Sequence, residues 1–331
     1  MISFLNFSYA SVSFEKPKQA AKKTEKNQKK EEVPVEEKIF IAPEAAKIFD
    51  EDAALRKTRN DIPLHFLRTV FLPAQQNNLY SVFWFKIKNA DLGFTAPTEE
   101  AETLSTQMHV FIRFYNIENG NLKGIFREVY IPFRAQESRE GYNPEEENLY
   151  TFGYILPPGE YLLASAFTSN DLTKIVTIYS EFSLPDTASL QGKIETTPVL
   201  SVKSIQQVDT PETKLKIYKN YFTYGRLIIE PKIENVFRAG ENVDLFYFIL
   251  GAKTHPETQR QDLEIKYSIK KGTQGVVRFP SQPAKMPIVS QPIPLISKGK
   301  NLEAGNYTIV IEILDKISNI SVTKEVALEI K

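Results

Sequence analysis

The side chains best suited to acid–base chemistry or metal binding are the three histidines, His65, His109 and His255. They are scattered, whereas a zinc protease site needs two histidines one helical turn apart. The sequence has neither a Gly-x-Ser-x-Gly nucleophile motif nor a Gly-rich phosphate loop, and it contains no cysteine. We therefore predict no catalytic, metal-binding or cofactor-binding residues.

Paired carboxylates could support glycoside hydrolysis, and the densest acidic run is Glu145–Glu147. That reaction needs two acids about 5 to 10 Å apart across a groove. Adjacent glutamates in one loop do not meet this requirement by their spacing, and charge runs are typical of solvated surface. The run Asp50–Asp52 lacks the alternating ligands and the glycine of a calcium loop. We interpret both runs as surface features.

Aromatic side chains offer another chemistry, because exposed rings can stack on sugars. The candidates are Trp84, Tyr115, Tyr130, Tyr142 and Tyr150. Most of them lie in alternating runs, where a ring can equally fill a hydrophobic core. We keep Trp84 and Tyr142 as a candidate ligand platform, with core packing as the alternative.

Strands must position most of these residues. From Leu64 onward the sequence has a period of two and is rich in aromatic and β-branched residues, most clearly at 79–88 and 108–115. Asn119-Gly120 is a hairpin signal. With a last run at 175–184, the first half contains about seven strands, which predicts a β-sandwich.

The second half repeats this plan. The apolar run 243–250 corresponds to 79–88, and 263–269 alternates like a strand with one solvent-exposed face. The proline-rich range 280–294 predicts a loop and an edge strand, where a missing N–H does no harm. Earlier strands are expected at 199–205 and within 215–229.

Both halves contain the same motif, Leu-x-x-Gly-x-Tyr followed by an apolar alternation. It occupies Leu156–Leu163, with Gly159 and Tyr161, and Leu302–Ile309, with Gly305 and Tyr307. Glycine permits a positive φ at a corner, and the tyrosine hydroxyl can return to a backbone group. We interpret these four residues as structural, and the repeat predicts two homologous modules.

The motif resembles the tyrosine corner of immunoglobulin and fibronectin type III-like domains, which implies two tandem immunoglobulin-like β-sandwiches. Antibody domains carry a cysteine two residues after the tyrosine, where this chain has Leu163 and Ile309. Apolar packing must therefore replace the disulfide. In outline, the range from Leu64 to Lys331 also resembles the sandwich regions that accompany GWxTD-motif and von Willebrand-related modules in secreted bacterial proteins. The GWxTD motif itself is absent, and this resemblance implies no site.

The N-terminal part differs in composition. Met1–Ala10 is mostly apolar and ends in small residues, like a signal peptide without its basic start, which predicts a secreted or periplasmic protein. A charged segment follows, expected to be a disordered tether, and then a short helix that Pro43 opens. The predicted domains are 1–14 (signal-like or frayed), 15–40 (tether), 41–61 (helix), 62–186 (first sandwich), 187–198 (linker) and 199–331 (second sandwich).

Charge and hydropathy narrow the choice of partner. Lys plus Arg and Asp plus Glu both number 41, so no net field attracts nucleic acid, and no long apolar stretch predicts a transmembrane span. We predict an all-β, non-catalytic, extracytoplasmic structural or protein-interaction module. Its partner would be another envelope or extracellular protein, or a second copy of itself. The alternative is a polysaccharide-binding module or an accessory domain of a secreted hydrolase.

Overall fold

The computed structural model describes residues 51–331 except 54, 191 and 213. Residues 51–53 are α-helical, but residues 55–61 are not, although the predicted helix spans 41–61; Arg56 has a φ of 49°, which a helix does not allow. The predictions for 1–40 and for residues 41–50 lie outside the described residues. The remaining chain is nearly all β, as predicted. Short 3-10 helices occur at Gln75–Asn77, Asn89–Leu92 and Thr187–Leu190. None of the helices in the described ranges is long and apolar enough to cross a membrane.

The first half of the described chain forms long strands that follow the sequence prediction closely. They are β1 (Leu64–Pro73), β2 (Leu79–Lys88), β3 (Thr103–Glu118), β4 (Asn121–Ser138), β5 (Glu147–Leu156), β6 (Gly159–Ser169) and β7 (Ile175–Leu184). Across the predicted hairpin, Glu118 pairs with Asn121, and the turn residues Asn119 and Gly120 have φ angles of 51° and 75°. Positive φ at both positions is what the type I′ turn of a two-residue hairpin requires.

The second half mixes long strands with short ones. They are β8 (Glu195–Thr196), β9 (Leu200–Gln207), β10 (Tyr218–Lys219), β11 (Phe222–Tyr224), β12 (Leu227–Pro231), β13 (Val236–Phe237), β14 (Asn242–Leu250), β15 (Leu263–Lys271), β16 (Gln274–Arg278), β17 (Gln282–Ala284), β18 (Ile288–Pro294), β19 (Ile296–Ser297), β20 (Lys300–Asn301), β21 (Gly305–Asp315) and β22 (Ile320–Ile330). The proline-rich strand β18 lies at the edge of its sheet, as predicted.

Two sheets of the first half face each other across a hydrophobic core. One has the order β1-β2-β5, with the short β10 added beside β5, and the other has the order β4-β3-β6-β7. Alternate side chains of each strand point into the core, as the period of two requires. Its centre is aromatic and includes Phe83, Phe85, Phe114 and Phe152.

The second half forms an equivalent pair of sheets. One has the order β11-β12-β9-β14-β18, and the other has the order β13-β22-β21-β15-β16. Their shared core includes Val243, Leu245, Ile265 and Ile311. The central orders β9-β14-β18 and β22-β21-β15-β16 correspond to β1-β2-β5 and β7-β6-β3-β4, so both halves share one strand plan.

A third core joins the two sandwiches. The outer face of β1-β2-β5 packs against the outer face of β9-β14, giving four stacked layers of sheet. Its members include Val70, Val82, Trp84, Phe222 and Phe246. Strands β2 and β14 are therefore buried on both faces, which explains why their sequences are continuous apolar runs rather than alternating ones.

The chain also crosses between the sandwiches at β10. Tyr218 pairs with Thr151 of β5, so two residues from the second half extend a sheet of the first. The Thr151 hydroxyl donates to the carbonyl of Tyr221 at 2.6 Å, and the side-chain oxygen of Asn220 accepts from the Leu149 amide at 3.0 Å. The junction is thus held by hydrogen bonds as well as apolar contact.

Both repeated motifs have the same local geometry. The hydroxyl of Tyr161 donates to the carbonyl of Pro157 at 3.0 Å, and that of Tyr307 donates to the carbonyl of Glu303 at 2.9 Å. Gly305 has a φ of 143°, a conformation that side chains other than glycine's rarely adopt. Each tyrosine therefore connects the start of its strand to the chain four residues earlier.

We expect Tyr161→Phe and Tyr307→Phe each to lower the free energy of unfolding by about 1 kcal/mol, because each removes one partly buried hydrogen bond. Urea denaturation followed by circular dichroism measures this. Tyr154→Phe is the matched control, because the Tyr154 ring is only partly buried and packs on the core of the first sandwich. Equal losses in all three variants would contradict a special role for the corner.

A buried pair of tyrosines should make stability depend on alkaline pH. The hydroxyls of Tyr247 and Tyr267 lie 2.9 Å apart in the second core. Desolvation raises both pKa values, that of Tyr267 to about 12. Unfolded tyrosine ionises near pH 10. Above that pH the unfolded state binds fewer protons than the folded state, so stability is full below pH 10 and falls as pH rises towards 12.

The urea midpoint is expected to be level up to pH 10 and then to decrease. The double variant Tyr247→Phe/Tyr267→Phe should decrease less steeply over the same range, because two of the raised pKa values are gone. An identical slope in the double variant would refute this assignment.

Candidate functional site

The structure separates the two members of the predicted ligand platform. Trp84 is 0% exposed and lies in the core between the sandwiches, with its ring centroid 6.3 Å from that of Phe222. Tyr142 is partly exposed and packs edge-on against Phe94 at 5.5 Å. Because Trp84 has no accessible surface, the two rings do not form a joint platform, and the alternative of core packing describes Trp84.

The other chemical candidates also lie apart. Tyr115 and Tyr150 are buried, and the hydroxyl of the partly buried Tyr130 lies 2.7 Å from Nδ1 of His109. His65 and His255 are exposed at separate places. Over the described ranges, no group of three or more histidine, aspartate or glutamate side chains is arranged to hold a metal ion.

The acidic run 145–147 lies beside the end of β2. Each glutamate has a separate polar partner there. The contacts are Lys88 Nζ to Glu145 Oε2 at 2.7 Å, Asn89 Nδ2 to Glu146 Oε2 at 3.3 Å and Lys86 Nζ to Glu147 Oε2 at 3.0 Å. The three carboxylates thus lie along the exposed chain that leads into β5, not opposite one another.

A cleft of about 410 Å³ opens between the sandwiches beside the edge strand β1. Arg68 and Phe71 of β1 form one wall, and the segments 196–199 and 324–327 of the second sandwich form the other. Binding sites commonly lie in clefts at domain interfaces. We treat it as the candidate functional site.

A bulge in β1 positions Arg68. The register shifts between Phe66 and Arg68, which leaves Leu67 extra and places Arg68 directly opposite Trp84 on β2. The guanidinium carbon lies 4.5 Å from the Trp84 ring centroid, within the range of a cation–π contact. Bulges commonly redirect a side chain in this way. The buried ring of Trp84 therefore supports the arginine that borders the cleft.

Arg68 is the cleft residue with an unusual electrostatic environment. Arg68 is solvent-accessible. Desolvation by the protein around the guanidinium lowers the pKa of Arg68. It has no ion-pair partner among the described residues. By contrast, Lys324 on the facing wall is paired with Glu195.

Three hydrogen bonds to backbone groups hold the facing wall in place. The Thr197 amide donates to the carbonyl of Phe248 at 2.9 Å, and the Thr197 hydroxyl accepts from the Phe248 amide at 3.0 Å. The side-chain amide of Asn235 donates to the carbonyl of Ala327 at 3.1 Å. The wall is thus preformed, with these donors already used inside the protein.

Sequence reasoning did not identify this cleft. Its walls come from residues near 68, 197 and 325, and no local pattern links them. The one available signal was the unbroken apolar run around Trp84, which implied that both faces of β2 are covered. The residues around the covered face of β2 could not be identified without knowing which part of the chain packs against that face.

Fold and cleft together define the class: an all-β protein of stacked β-sandwiches with a cleft at their junction. No protein-family model matches the chain, and no curated protein matches it significantly in sequence. The roles of its residues therefore rest on their own geometry.

Proposed function

We propose that this chain is a non-catalytic structural or protein-interaction protein, built on two immunoglobulin-like sandwiches. Support for the immunoglobulin-like assignment comes from the strand orders, in which β1-β2-β5 faces β4-β3-β6-β7 and β9-β14-β18 faces β16-β15-β21-β22. A tyrosine that bonds back to the chain begins the next-to-last long strand of each half.

The single observation that carries the interaction role is the third core. Burying Trp84, Phe222 and Phe246 between the sandwiches joins them through a large apolar contact, which restrains their relative motion. Surfaces from both sandwiches are then presented at a set spacing. Pre-organised surfaces of this kind lower the entropic cost of binding a partner.

We also propose a secreted or periplasmic location for the chain. Its support is the apolar run Met1–Ala10 with its small terminal residues. Fractionation of the native cells, followed by immunoblotting, tests this directly. Recovery of the protein in the cytosolic fraction alone would refute it.

Cross-linking in intact cells tests the interaction role. Full-length protein, purified with its cross-linked partners, is expected to carry one enriched envelope or extracellular protein, or a second copy of itself. Trp84→Ala is a useful comparison, because loosening the junction should reduce capture. A monomer that captures nothing would contradict the proposal, as would a purified chain that hydrolyses polysaccharide.

The polysaccharide-binding alternative has weaker support, because Trp84 is buried. Only Tyr142 of the candidate pair retains accessible surface. A glycan array that compares the natural chain with Tyr142→Ala separates the two functions. Strong glycan binding that this substitution abolishes would favour the alternative.

A further inference from the structure

The cleft between the sandwiches carries a positive charge that the described residues do not neutralise. On its far wall Lys324 is paired with Glu195, and Glu325 lies 3.9 Å from Lys270. Those charges are compensated in pairs, whereas Arg68 has no such partner in the described chain. A guanidinium in this position gains most from a carboxylate, which it can bind through two parallel hydrogen bonds.

The rest of the lining is half apolar and half polar. Its apolar members are Phe71, Pro198, Val199, Val326 and Ala327, and its polar members are Thr196, Thr197, Asn235, Lys324 and Glu325. A polyanion such as nucleic acid gains affinity from several cations along its backbone, and this cleft supplies one uncompensated cation. A single carboxylate with apolar neighbours fits the lining better.

The border of the cleft suits an extended chain. Strand β1 ends its sheet and pairs only with β2 among the described strands. An unpaired strand edge can accept backbone hydrogen bonds from an added segment, with side-chain pockets giving specificity. The bulged Leu67 is 36% exposed on the same strand and adds apolar surface there.

We propose that the cleft binds an extended peptide segment of a partner protein through one acidic side chain, with Arg68 as the carboxylate anchor. The proposal rests on the proposed function, because it gives the chemistry of the partner. Apolar residues on either side of the acidic residue pack against Phe71 and Val199. Trp84 acts as a positioning residue, because its ring supports the guanidinium from below.

The test uses full-length protein and a library of blocked hexapeptides. One position is fixed as glutamate and its neighbours vary among apolar residues, and a matched library carries glutamine at the fixed position. Binding is measured by calorimetry and by tryptophan fluorescence. Trp84 is the single tryptophan of the chain and contacts Arg68, so its emission reports directly on the anchor.

The best glutamate peptides are expected to bind at least about tenfold more tightly than their glutamine counterparts, as expected for a charge-assisted hydrogen bond. Arg68→Gln should remove this preference, and Arg68→Lys should keep part of it. Arg127→Gln is the control, because Arg127 is an exposed arginine on β4, in the other sheet of the first sandwich. Thermal melts establish that each variant is folded.

Three outcomes would overturn the proposal: no glutamate peptide binds, glutamine peptides bind equally, or Arg127→Gln weakens binding as much as Arg68→Gln. Binding of inorganic phosphate and of a glucuronate disaccharide is measured in separate experiments. If either binds more tightly than the best glutamate peptide, the proposal is also overturned. Partner capture in cells that Arg68→Gln leaves unchanged would refute this site while the proposed function stands.

Discussion

Replacing Trp84 with alanine is expected to lower the free energy of unfolding by about 3–5 kcal/mol, as is usual for truncating a fully buried large aromatic residue. The indole is 0% exposed and fills the contact between the sandwiches, where its loss leaves a cavity beside Phe222. It also removes the support of the Arg68 guanidinium. Urea unfolding followed by circular dichroism measures the loss.

Tyr142→Ala is the control for this experiment, because it removes an aromatic ring that is only partly buried. Its cost should be clearly smaller. In the natural protein both sandwiches are expected to unfold in one transition, whereas the weakened contact in Trp84→Ala should separate the transition into two. Equal costs for the two variants would mean that the third core contributes little.

Gly153→Ala is expected to cost about 1–3 kcal/mol, the usual range for overpacking a filled site. A Cβ atom on Gly153 would lie 1.9 Å from the Tyr80 hydroxyl oxygen and 2.0 Å from its Cζ. The ring would have to move away from its contact with Tyr224, whose centroid is 6.1 Å distant. The loss is measured as a shift of the denaturation midpoint.

A double-mutant cycle shows whether Tyr80 is the cause. In a Tyr80→Ala background the added methyl group has room, so Gly153→Ala should cost much less than it does alone. Gly124→Ala is the matched control, because a Cβ there meets no atom within 4 Å. If Gly124→Ala is as damaging as Gly153→Ala, or the two effects in the cycle simply add, the steric explanation fails.

Much of the fold was predictable because strand signals are local. The predicted strand 175–184 has the same bounds as β7, and Asn119-Gly120 correctly predicted the hairpin between β3 and β4. Such features depend on alternation and turn chemistry within a few residues. The second half was also recognisable, since the Leu-x-x-Gly-x-Tyr motif repeats with the same spacing.

The stacking of the sandwiches was not predictable by the same means. In an unbroken apolar run such as β2, the sequence does not show which side chains face the core of the sandwich and which face outward. Trp84 was therefore a reasonable candidate for a binding platform. Likewise the range 215–229 contained a strand signal, but nothing local indicated that Tyr218 pairs with a strand of the other half. Arg68 gained its position from these long-range contacts.

A nascent chain emerges with its N-terminal residues first. The seven strands up to Leu184 are therefore synthesised well before Tyr218 and β14 arrive. Until then, Trp84 and its neighbours on β2 form a bare apolar surface on an otherwise complete sandwich. While β7 has emerged from the ribosome and β14 has not, we expect the nascent chain to be a chaperone substrate. Emergence of β14 lets the third core form and ends that exposure.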